Sequence, residues 1–553
     1  MILRIKEQSI VRWILSLVTV LTISILVGGY TLSAIGFLDS KDAWSVYSSL
    51  VFIAGAGNFW HWNLMQDRNR NRFLNRIKHA VDTTKYEFLA LPRLRKFVIA
   101  ALGGSLLITA SINLSTCLLL PPHNWDSMTY HLARVAYYLQ HNSLAYYDAS
   151  YWAQVIHPKN SAVLLLFSWL SSNGNENLLQ MNQYVSYFIA LLAVYGLSRE
   201  LGGNRMNSIT VSLVFGLLTE VLMEASTTQN DLLIATCFAV SIYFILGYGR
   251  VRLNRYFIYS ALSFSIALGM KGSALLLLPS MLILLVFSLK TRRESIWKIR
   301  IGVVGKTVIW CSIVIFFVLP SGYVENQMRY GNPLAPEEVV SKHAATEKAP
   351  WVFGGVVNMA RYSIDFISLD GFLPVAFVRQ SQQALKAVPV QLYKLFDVDI
   401  GKESFYARSS FLPYRSPVAH EDGSYWGIMG FGFIWLAVLL AIVRFRKNPE
   451  IAVFAFSSCV FFMTQAFVGP YDPWRGRYFI SFMRCDCPSC NPAFFEISLE
   501  VRQSLHSDTA PCWLFVCNLF SRFSFQATYY HAFKTGIEHL AHSFIPSNEA
   551  RSR

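Results

Sequence analysis

Charged side chains are scarce in this sequence. They make up 15% of the 553 residues, whereas hydrophobic side chains make up 54%. Soluble globular proteins carry about 25% charged residues, so the shortage excludes the series of soluble domains that the length alone would suggest. Apolar runs of about 18 or more residues recur along the chain, and each can cross the roughly 30 Å hydrocarbon core of a bilayer. The composition predicts an all-α, polytopic transmembrane helical bundle.

Other features are missing as well. The nine cysteines form no disulfide framework. The first apolar run, residues 13–38, is longer than a signal-peptide core and lacks a small-residue cleavage site, so we interpret it as a retained anchor. No internal repeat pairs the two halves of the sequence, as it does in many transporters. Four cysteines lie in apolar runs, where a thiol packs as a small side chain: Cys117, Cys237, Cys311 and Cys459.

Acidic residues are the minority among the charges. There are 33 of them against 48 lysines and arginines, which gives a net charge of +15. The basic excess lies in short loops between apolar runs, at residues 68–96, 250–255, 290–300 and 444–447. Because short cytoplasmic loops are enriched in lysine and arginine, this distribution favours membrane orientation over nucleic-acid binding and assigns these loops to the cytoplasm.

The apolar runs predict 11 to 12 spans. They are approximately residues 13–38, 43–62, 97–120, 177–198, 206–223, 230–248, 256–270, 273–289, 301–320, 425–443 and 451–468, with a twelfth after 478. We divide the chain into an N-terminal span pair with a basic loop (1–96), a main transmembrane region (97–480) and an atypical tail (481–553). The two large loops, 121–176 and 321–424, then lie on the external side.

Residues 124–131, which read NWDSMTYH, follow the span 97–120 and open a segment with helical spacing. Its apolar residues share one stripe over residues 125–140, so we expect a helix on the outer membrane surface. A carboxylate near lipid is costly, which makes Asp126 a candidate functional residue. Capping of the helix is the alternative role for this acid. The polar side chains away from the apolar stripe are Asp126, Tyr130, His131 and Arg134.

Further charged positions stand at the external ends of spans. Asp231 opens a span, where capping alone is a natural role. Lys271 lies between two spans that are separated only by residues 270–272, so it can snorkel to water or bind a phosphate as a point charge. Glu220 and Glu224, four residues apart, suggest the wall of a polar cavity, although Glu224 can also reach solvent.

The order of these motifs resembles that of the GT-C superfamily of membrane glycosyltransferases. The resemblance is to glycosyltransferase family 39-like proteins, the bacterial relatives of protein O-mannosyltransferases and of lipid A aminoarabinose transferases. It covers roughly residues 97 to 480. The matching pieces are an acid in the first external loop, an acid heading a later span, a Gly-x-Lys-Gly-like element and a yGNP-like stretch, at residues 125–131, 230–231, 269–272 and 326–336.

This resemblance implies a hexosyl- or pentosyltransferase with a polyprenyl-phosphate sugar donor. It would act with inversion on an acceptor at the external face of a bacterial plasma membrane. Asp126 is then the general base and Lys271 a partner of the donor phosphate, with Arg475 or Arg477 as a second cation. Many relatives carry an acidic pair where Ser127 follows Asp126 here, so the acceptor class stays open. The remaining substrate-binding candidates are Tyr130, His131, Arg134 and Asp231.

Two other classes of function are alternatives to the enzyme. A transporter or flippase of a lipid-linked or small polar substrate would explain Lys271, Glu220 and Glu224 as pathway residues. A structural membrane protein is the third class. The external loop 321–424 favours the enzyme, because a long external loop suits acceptor binding.

No cofactor is assigned, and the metal dependence is left open. A divalent ion could be shared by Asp126, His131, His157 and Asp231. The tail contains Cys485, Cys487 and Cys490 followed by several histidines, but their spacing matches no zinc pattern. We interpret the tail as sequence out of keeping with the spans before it.

Overall fold

A computed structural model of the chain describes residues 2–64, 70–290, 296–343, 351–367, 375–395, 400, 411–414, 421, 426–427 and 429–481. Every regular element in these ranges is a helix, so the all-α class predicted from the composition is confirmed. The chain is a multi-pass membrane protein. The stretches long and apolar enough to cross a membrane are Ile10–Ala34, Arg93–Leu119, Asp231–Val251, Gly272–Leu289, Ile301–Ser321 and Pro449–Val468.

The helices follow the predicted spans closely. Each predicted span up to residue 468 coincides with one helix or with two consecutive helical segments. The helices of the first half are α1 (Ile2–Ala34), α2 (Lys41–Leu64), α3 (Arg70–Leu89), α4 (Arg93–Leu119), α5 (Leu132–Gln140), α6 (Ala153–Ile156), α7 (Asn160–Ser171), α8 (Met181–Glu200), α9 (Arg205–Gly216), α10 (Thr219–Glu224), α11 (Asp231–Val251) and α12 (Asn254–Leu268).

The second half continues with α13 (Leu278–Leu289), α14 (Ile296–Val318), α15 (Tyr323–Tyr330), α16 (Glu337–His343), α17 (Trp351–Phe366), α18 (Val375–Leu395), α19 (Trp435–Val443) and α20 (Pro449–Val468). Two π-helical turns occur at Ser127–His131 and Met429–Ile434. Turns of 3-10 helix occur at Glu176–Gln180, Gly272–Leu277, Leu319–Ser321 and Pro473–Phe479. The tail from residue 482 onwards, with its cysteine and histidine candidates, lies outside the described residues.

Helix α11 lies at the centre of the bundle. It packs against α8, α12 and α13, and 89% of its most apolar stretch is buried inside the protein, against 17% for the span Ile301–Ser321. Its neighbours therefore shield α11 from lipid. Asp231, in the first turn of α11, is buried with it.

The chain leaves α4 through a sharp change of backbone direction. Two prolines, Pro121 and Pro122, follow the helix, and proline cannot continue a helix because it lacks an N–H and crowds the preceding residue. Leu120 is accordingly extended, with φ −113° and ψ 137°. The next helical segment begins where Asn124 Oδ1 accepts the Ser127 N–H at 2.8 Å, which caps its first turn. The helix predicted over residues 125–140 is thus present as a π-helical turn followed by α5.

Two other helix ends bring polar residues toward the same region. Lys271 is extended, with φ −157° and ψ 138°, and so separates α12 from the 3-10 turn that leads into α13. This is the short break predicted at residues 270–272. After α20, the Asp472 side chain accepts the Trp474 N–H at 3.1 Å and opens the 3-10 turn Pro473–Phe479.

The orientation of the bundle can be tested with single cysteines. Glu176 is exposed on the side predicted to be external, and Asn448 is exposed between α19 and α20 on the side predicted to be cytoplasmic. We expect Glu176→Cys to react with a membrane-impermeant maleimide in intact cells, and Asn448→Cys to react only after permeabilisation. The unsubstituted chain gives the background from native cysteines, and the opposite labelling pattern would contradict the orientation.

Candidate active site

Arg477 joins two carboxylates that are far apart in the sequence. Its Nη2 donates a hydrogen bond to Asp126 Oδ2, and its Nε lies 3.2 Å from Asp231 Oδ2. Lys271 Nζ donates to both carboxylate oxygens of Asp231, at 3.0 Å each. The four charges therefore alternate as Lys271, Asp231, Arg477 and Asp126, and their sum is zero. We call these four residues the charge cluster.

Each member of the charge cluster comes from the end of a different helix. Asp126 follows α4, Asp231 opens α11, Lys271 follows α12 and Arg477 follows α20. The orientation inferred from the basic loops placed all four residues on one side of the membrane, and the structure brings them together. The charged residues thus lie at the ends of the apolar spans and not in the middle of them.

The charge cluster is closed except at Asp126. The side chains of Asp231, Lys271 and Arg477 are 4%, 6% and 7% exposed, whereas that of Asp126 is 18% exposed. A substrate can therefore reach Asp126 before it reaches the other three members. Because an unpaired buried charge is costly, the pairing offsets the cost of burying the other three charges.

The surroundings of Asp126 keep it ionised. Burial acts to raise its pKa, but the charges of Arg477 and Lys271 outweigh burial and lower the pKa to about 2. Burial favours the uncharged form of the neighbouring His131 and holds the pKa of its imidazole well below the usual value. His131 is thus neutral at physiological pH and can donate or accept a hydrogen bond.

Tyr130 and His131 flank the exposed edge of the cluster. The Tyr130 hydroxyl donates to Asp126 Oδ2 at 3.2 Å. Its ring packs on His131 with ring centroids 4.2 Å apart and lies 5.4 Å from His157. Both residues are buried, while Trp125 and Met128 on the same segment are exposed. The polar side of this helix therefore faces the protein. Of the predicted apolar stripe, the first turn faces outward, whereas Val135 is buried in the core.

Two of the predicted substrate-binding residues lie outside the charge cluster. Arg134 donates to the carbonyls of His157 and Pro158, at 2.7 and 3.1 Å, and to the Tyr138 hydroxyl. It is a buried support for the backbone after α6. Arg475 is half-buried and contacts no member of the charge cluster among the described residues; its charge acts on Tyr362. Of the two arginines proposed as a second cation, Arg477 is the one that the structure places at the carboxylates.

The capping roles considered for the two acids do not match the structure. Asn124 caps the helix after α4, and the Asp126 side chain makes no capping bond. The Asp231 carboxylate is occupied by Lys271 and Arg477. The solvent role for Glu224 is also wrong: this residue is fully buried, and Gln183 Nε2 donates to it at 3.1 Å.

Two residues of the site were not singled out in the sequence. Arg477 Nη1 donates to Gln229 Oε1 at 2.5 Å, and Lys271 Nζ lies 4.3 Å from the ring centroid of Tyr478, a cation–π contact. Gln229 stands two positions before Asp231, and Tyr478 directly follows Arg477. Proximity to a charged residue in the sequence was their only signal.

A metal site was considered at Asp126, His131, His157 and Asp231. In the part of the chain that the structure describes, no group of three or more His, Cys, Asp or Glu side chains is placed to hold a metal ion. Arg477 connects the two carboxylates of this set.

Comparison with known families bears on the central part of the chain. Residues 158–319 match the family model described as dolichyl-phosphate-mannose-protein mannosyltransferase. The match supports the resemblance inferred from the motifs over residues 158–319, which are less than half of the chain. The matched part contains Asp231 and Lys271, whereas Asp126 and Arg477 lie on either side of it. No curated protein matches the chain.

Two solved structures show a low overall similarity to this chain. The archaeal oligosaccharyltransferase AglB from Archaeoglobus fulgidus, in complex with an inhibitory peptide and a dolichol-phosphate, has a TM-score of 0.39 at 12% identity. That likeness covers 78% of this chain and 55% of AglB, so the chain spans little more than half of AglB. ArnT from Cupriavidus metallidurans, bound to undecaprenyl phosphate, has a TM-score of 0.34 at 13% identity over 74% of this chain and 81% of ArnT.

The coupling within the charge cluster can be measured as stability. We expect Asp231→Asn to destabilise the protein by about 3–5 kcal/mol, because it leaves Lys271 buried without its counter-charge. The double variant with Lys271→Met should recover part of that loss, with a coupling of about 1–3 kcal/mol. Thermal unfolding in detergent measures both effects.

Asp148→Asn is the matched control. Asp148 is fully exposed and lies 3.6 Å from Arg329, so its removal should leave the unfolding midpoint unchanged. Strictly additive effects of the Asp231 and Lys271 substitutions would contradict the buried pair.

Proposed function

We propose that this chain is an integral-membrane glycosyltransferase. It moves a hexosyl or pentosyl group from a polyprenyl-phosphate donor to a hydroxyl of an acceptor at the external face, with inversion. The observation that supports this proposal is the charge cluster. It contains a carboxylate that a substrate can reach together with two buried cations. The family match over residues 158–319 supports this reaction class.

The members of the cluster have different roles in the reaction. The acceptor oxygen attacks the anomeric carbon of the sugar, the bond from that carbon to the phosphate oxygen breaks, and polyprenyl phosphate leaves with the electron pair. Asp126 takes the acceptor proton as general base. Lys271 and Arg477 stabilise the charge that grows on the leaving phosphate. Attack in a single displacement inverts the anomeric configuration.

The remaining residues hold and orient the substrates. Asp231 pairs with both cations, so that Arg477 lies between the two carboxylates and Lys271 lies on the other side of Asp231. Tyr130 and neutral His131 stand beside Asp126, where they can hydrogen-bond the sugar or the acceptor. The polyprenyl tail stays in lipid while its phosphate sits at the membrane boundary, so the chemistry takes place at the external ends of the spans. A bacterial plasma membrane is the proposed location.

The donor also makes Asp126 a better base. In the free protein, its bond to Arg477 holds the pKa near 2, which is low for a general base. A donor phosphate that binds Arg477 competes with Asp126 for the guanidinium and adds a negative charge, and both effects raise the pKa of Asp126. The acceptor is therefore deprotonated only when the donor is in place.

Replacing the base tests the assignment directly. We expect Asp126→Asn to reduce sugar transfer by about 10²–10⁴-fold, because the amide keeps the size of the side chain but cannot accept the proton. The assay follows transfer from a polyprenyl-phosphate sugar in membranes with matched expression. Asp148→Asn, an exposed acid in the same external loop, should transfer at the normal rate.

Each outcome of that assay discriminates between the classes of function. Full activity in Asp126→Asn would remove the catalytic assignment. Flux of a lipid-linked substrate across the membrane, without sugar transfer by the unsubstituted chain, would favour the transporter instead.

The role of Arg477 predicts a pH dependence. A carboxyl group with a lowered pKa is ionised above that pKa and loses its base function only as the pH falls through it. We therefore expect kcat/KM of the unsubstituted enzyme to stay level down to about pH 4, near the ordinary carboxyl value. In Arg477→Met the pKa of Asp126 rises, so the acid limb should move to higher pH.

Two further variants sharpen the pH experiment. Arg477→Lys keeps the positive charge, so its acid limb should lie at lower pH than that of Arg477→Met. Arg475→Met removes an arginine that does not contact the cluster, so its acid limb should stay in place. An acid limb that moves in Arg475→Met and not in Arg477→Met would reverse the assignment of the second cation.

A further inference from the structure

The backbone around Lys271 is held by two buried asparagines. The Asn160 N–H donates to the Gly269 carbonyl at 2.9 Å, and Asn160 Nδ2 donates to the Ile266 carbonyl at 3.3 Å. Asn230 Nδ2 donates to the Met270 carbonyl at 3.1 Å. The last carbonyls of a helix have no partner within it. These bonds therefore satisfy the carbonyl groups at the end of α12 and fix the backbone that leads into Lys271.

Asn160 is itself fixed in place. It is 2% exposed, and its Oδ1 accepts the Tyr30 hydroxyl from α1 at 2.8 Å. A Cβ atom at Gly269 would overlap Asn160 Nδ2. A glycine at position 269 is thus required by the close approach of Asn160, since the backbone of Gly269 has a negative φ that any residue can adopt.

The same contacts lead back to Asp126. Arg134 lies on α5, in the helical segment that contains Asp126, and donates to the carbonyls of His157 and Pro158. These carbonyls stand immediately before Lys159 and Asn160 in the chain. Two sets of hydrogen bonds, linked by the chain from residue 157 to residue 160, therefore join the segment of Asp126 to the backbone that carries Lys271.

We propose that Asn160 is a positioning residue that sets the place of Lys271 relative to Asp126. The proposal rests on the proposed glycosyltransferase function and assigns to that site a support outside the charge cluster. Reacting groups must be held within about 0.5 Å of their productive geometry, and a misplacement of about 1 Å can cost about 10²-fold in rate. Asn160 acts on the phosphate cation through the backbone and touches no substrate.

Alanine substitution gives the first test. In the full chain in nanodiscs, we expect Asn160→Ala to lower kcat by about 10–100-fold and to weaken binding of undecaprenyl phosphate, the probe for the leaving group. Tyr30→Phe, which removes only the hydroxyl that holds Asn160, should change both quantities in the same direction by a smaller factor. Tyr30→Phe keeps the test valid if Asn160→Ala does not fold.

Asn113 offers a matched control for a lost asparagine. It is also 2% exposed, and its Nδ2 donates to a backbone carbonyl, that of Leu222, at 2.8 Å. It lies within α4 and outside the contacts of Lys271. Asn113→Ala should lower the unfolding midpoint while kcat and undecaprenyl phosphate affinity stay normal. A fall in kcat equal to that of Asn160→Ala would mean that general destabilisation explains both, and would overturn the proposal.

A double substitution tests the contact between Asn160 and Gly269. Gly269→Ala alone should lower kcat, because the new methyl group displaces the Asn160 amide or the backbone before Lys271. Added to Asn160→Ala, it should have little further effect, since the overlapping group is gone. Effects that multiply would overturn the proposed contact.

Failure of the inference and failure of the function give different results. If Asn160→Ala turns over normally while Asp126→Asn is inactive, the positioning role is wrong and the enzyme assignment stands. If the unsubstituted chain transfers no sugar and binds no undecaprenyl phosphate, the proposed function fails. Binding that is present without transfer, and that weakens in Asn160→Ala but not in Asn113→Ala, still supports the positioning role.

Discussion

Arg477 connects two carboxylates, Asp126 and Asp231, that lie more than 100 residues apart in the sequence. Removing a guanidinium and a carboxylate from water costs several kcal/mol for each ion, and attraction offsets this cost only when the geometry is good. Arg477 meets the condition with Asp126 on one side and Asp231 on the other. Lys271 adds the second positive charge and leaves the cluster neutral. Loss of Asp231 leaves Lys271 without its counter-charge, and loss of Arg477 leaves Asp126 without one. The meeting of the ends of α4, α11, α12 and α20 therefore stabilises the bundle.

The neutrality of the cluster matters for the reaction proposed above. A bound phosphodiester donor brings the local charge to −1. When the acceptor proton passes to Asp126 and the sugar leaves the phosphate, Asp126 becomes neutral and the leaving phosphate gains the charge that Asp126 lost. The net charge stays at −1 throughout. In the proposed reaction a negative charge therefore passes from Asp126 to the leaving phosphate without a new charge being created, which is the least costly course where solvation is weak.

Much of this arrangement was predictable from the sequence. Hydropathy predicted the spans, and the lysines and arginines of the loops predicted which span ends share a side, because both signals come from the bilayer and not from tertiary contacts. The break at Lys271 was predictable for the same reason, since two apolar runs need a polar interruption between them. The helix that presents Asp126 followed from the spacing of its apolar residues.

The choice between neighbouring polar residues was not predictable. Arg475 and Arg477 are two positions apart in a 3-10 turn, where successive residues are rotated by about 120°. Sequence shows that the two arginines point in different directions but not which one meets the carboxylates. Asn124 and Asp126 pose the same problem, because either can cap a helix and only the backbone position decides. The sequence correctly predicted that Arg134 lies away from lipid. However, the polar side of its helix carries both residues of the site and residues that support the backbone, and only long-range contacts distinguish the two kinds.

The two cations of the cluster are held by different parts of the chain. Lys271 depends on Asn160 in the first external loop. The segment that leads to Arg477 is tied instead to α17 in the large external loop: Asn358 Nδ2 donates to the Gly469 carbonyl at 3.1 Å, and the Tyr471 hydroxyl donates to Asp365 Oδ2 at 2.7 Å. Direct hydrogen bonds therefore join the segment of Arg477 to the large external loop, and Asp231 connects Arg477 to Lys271.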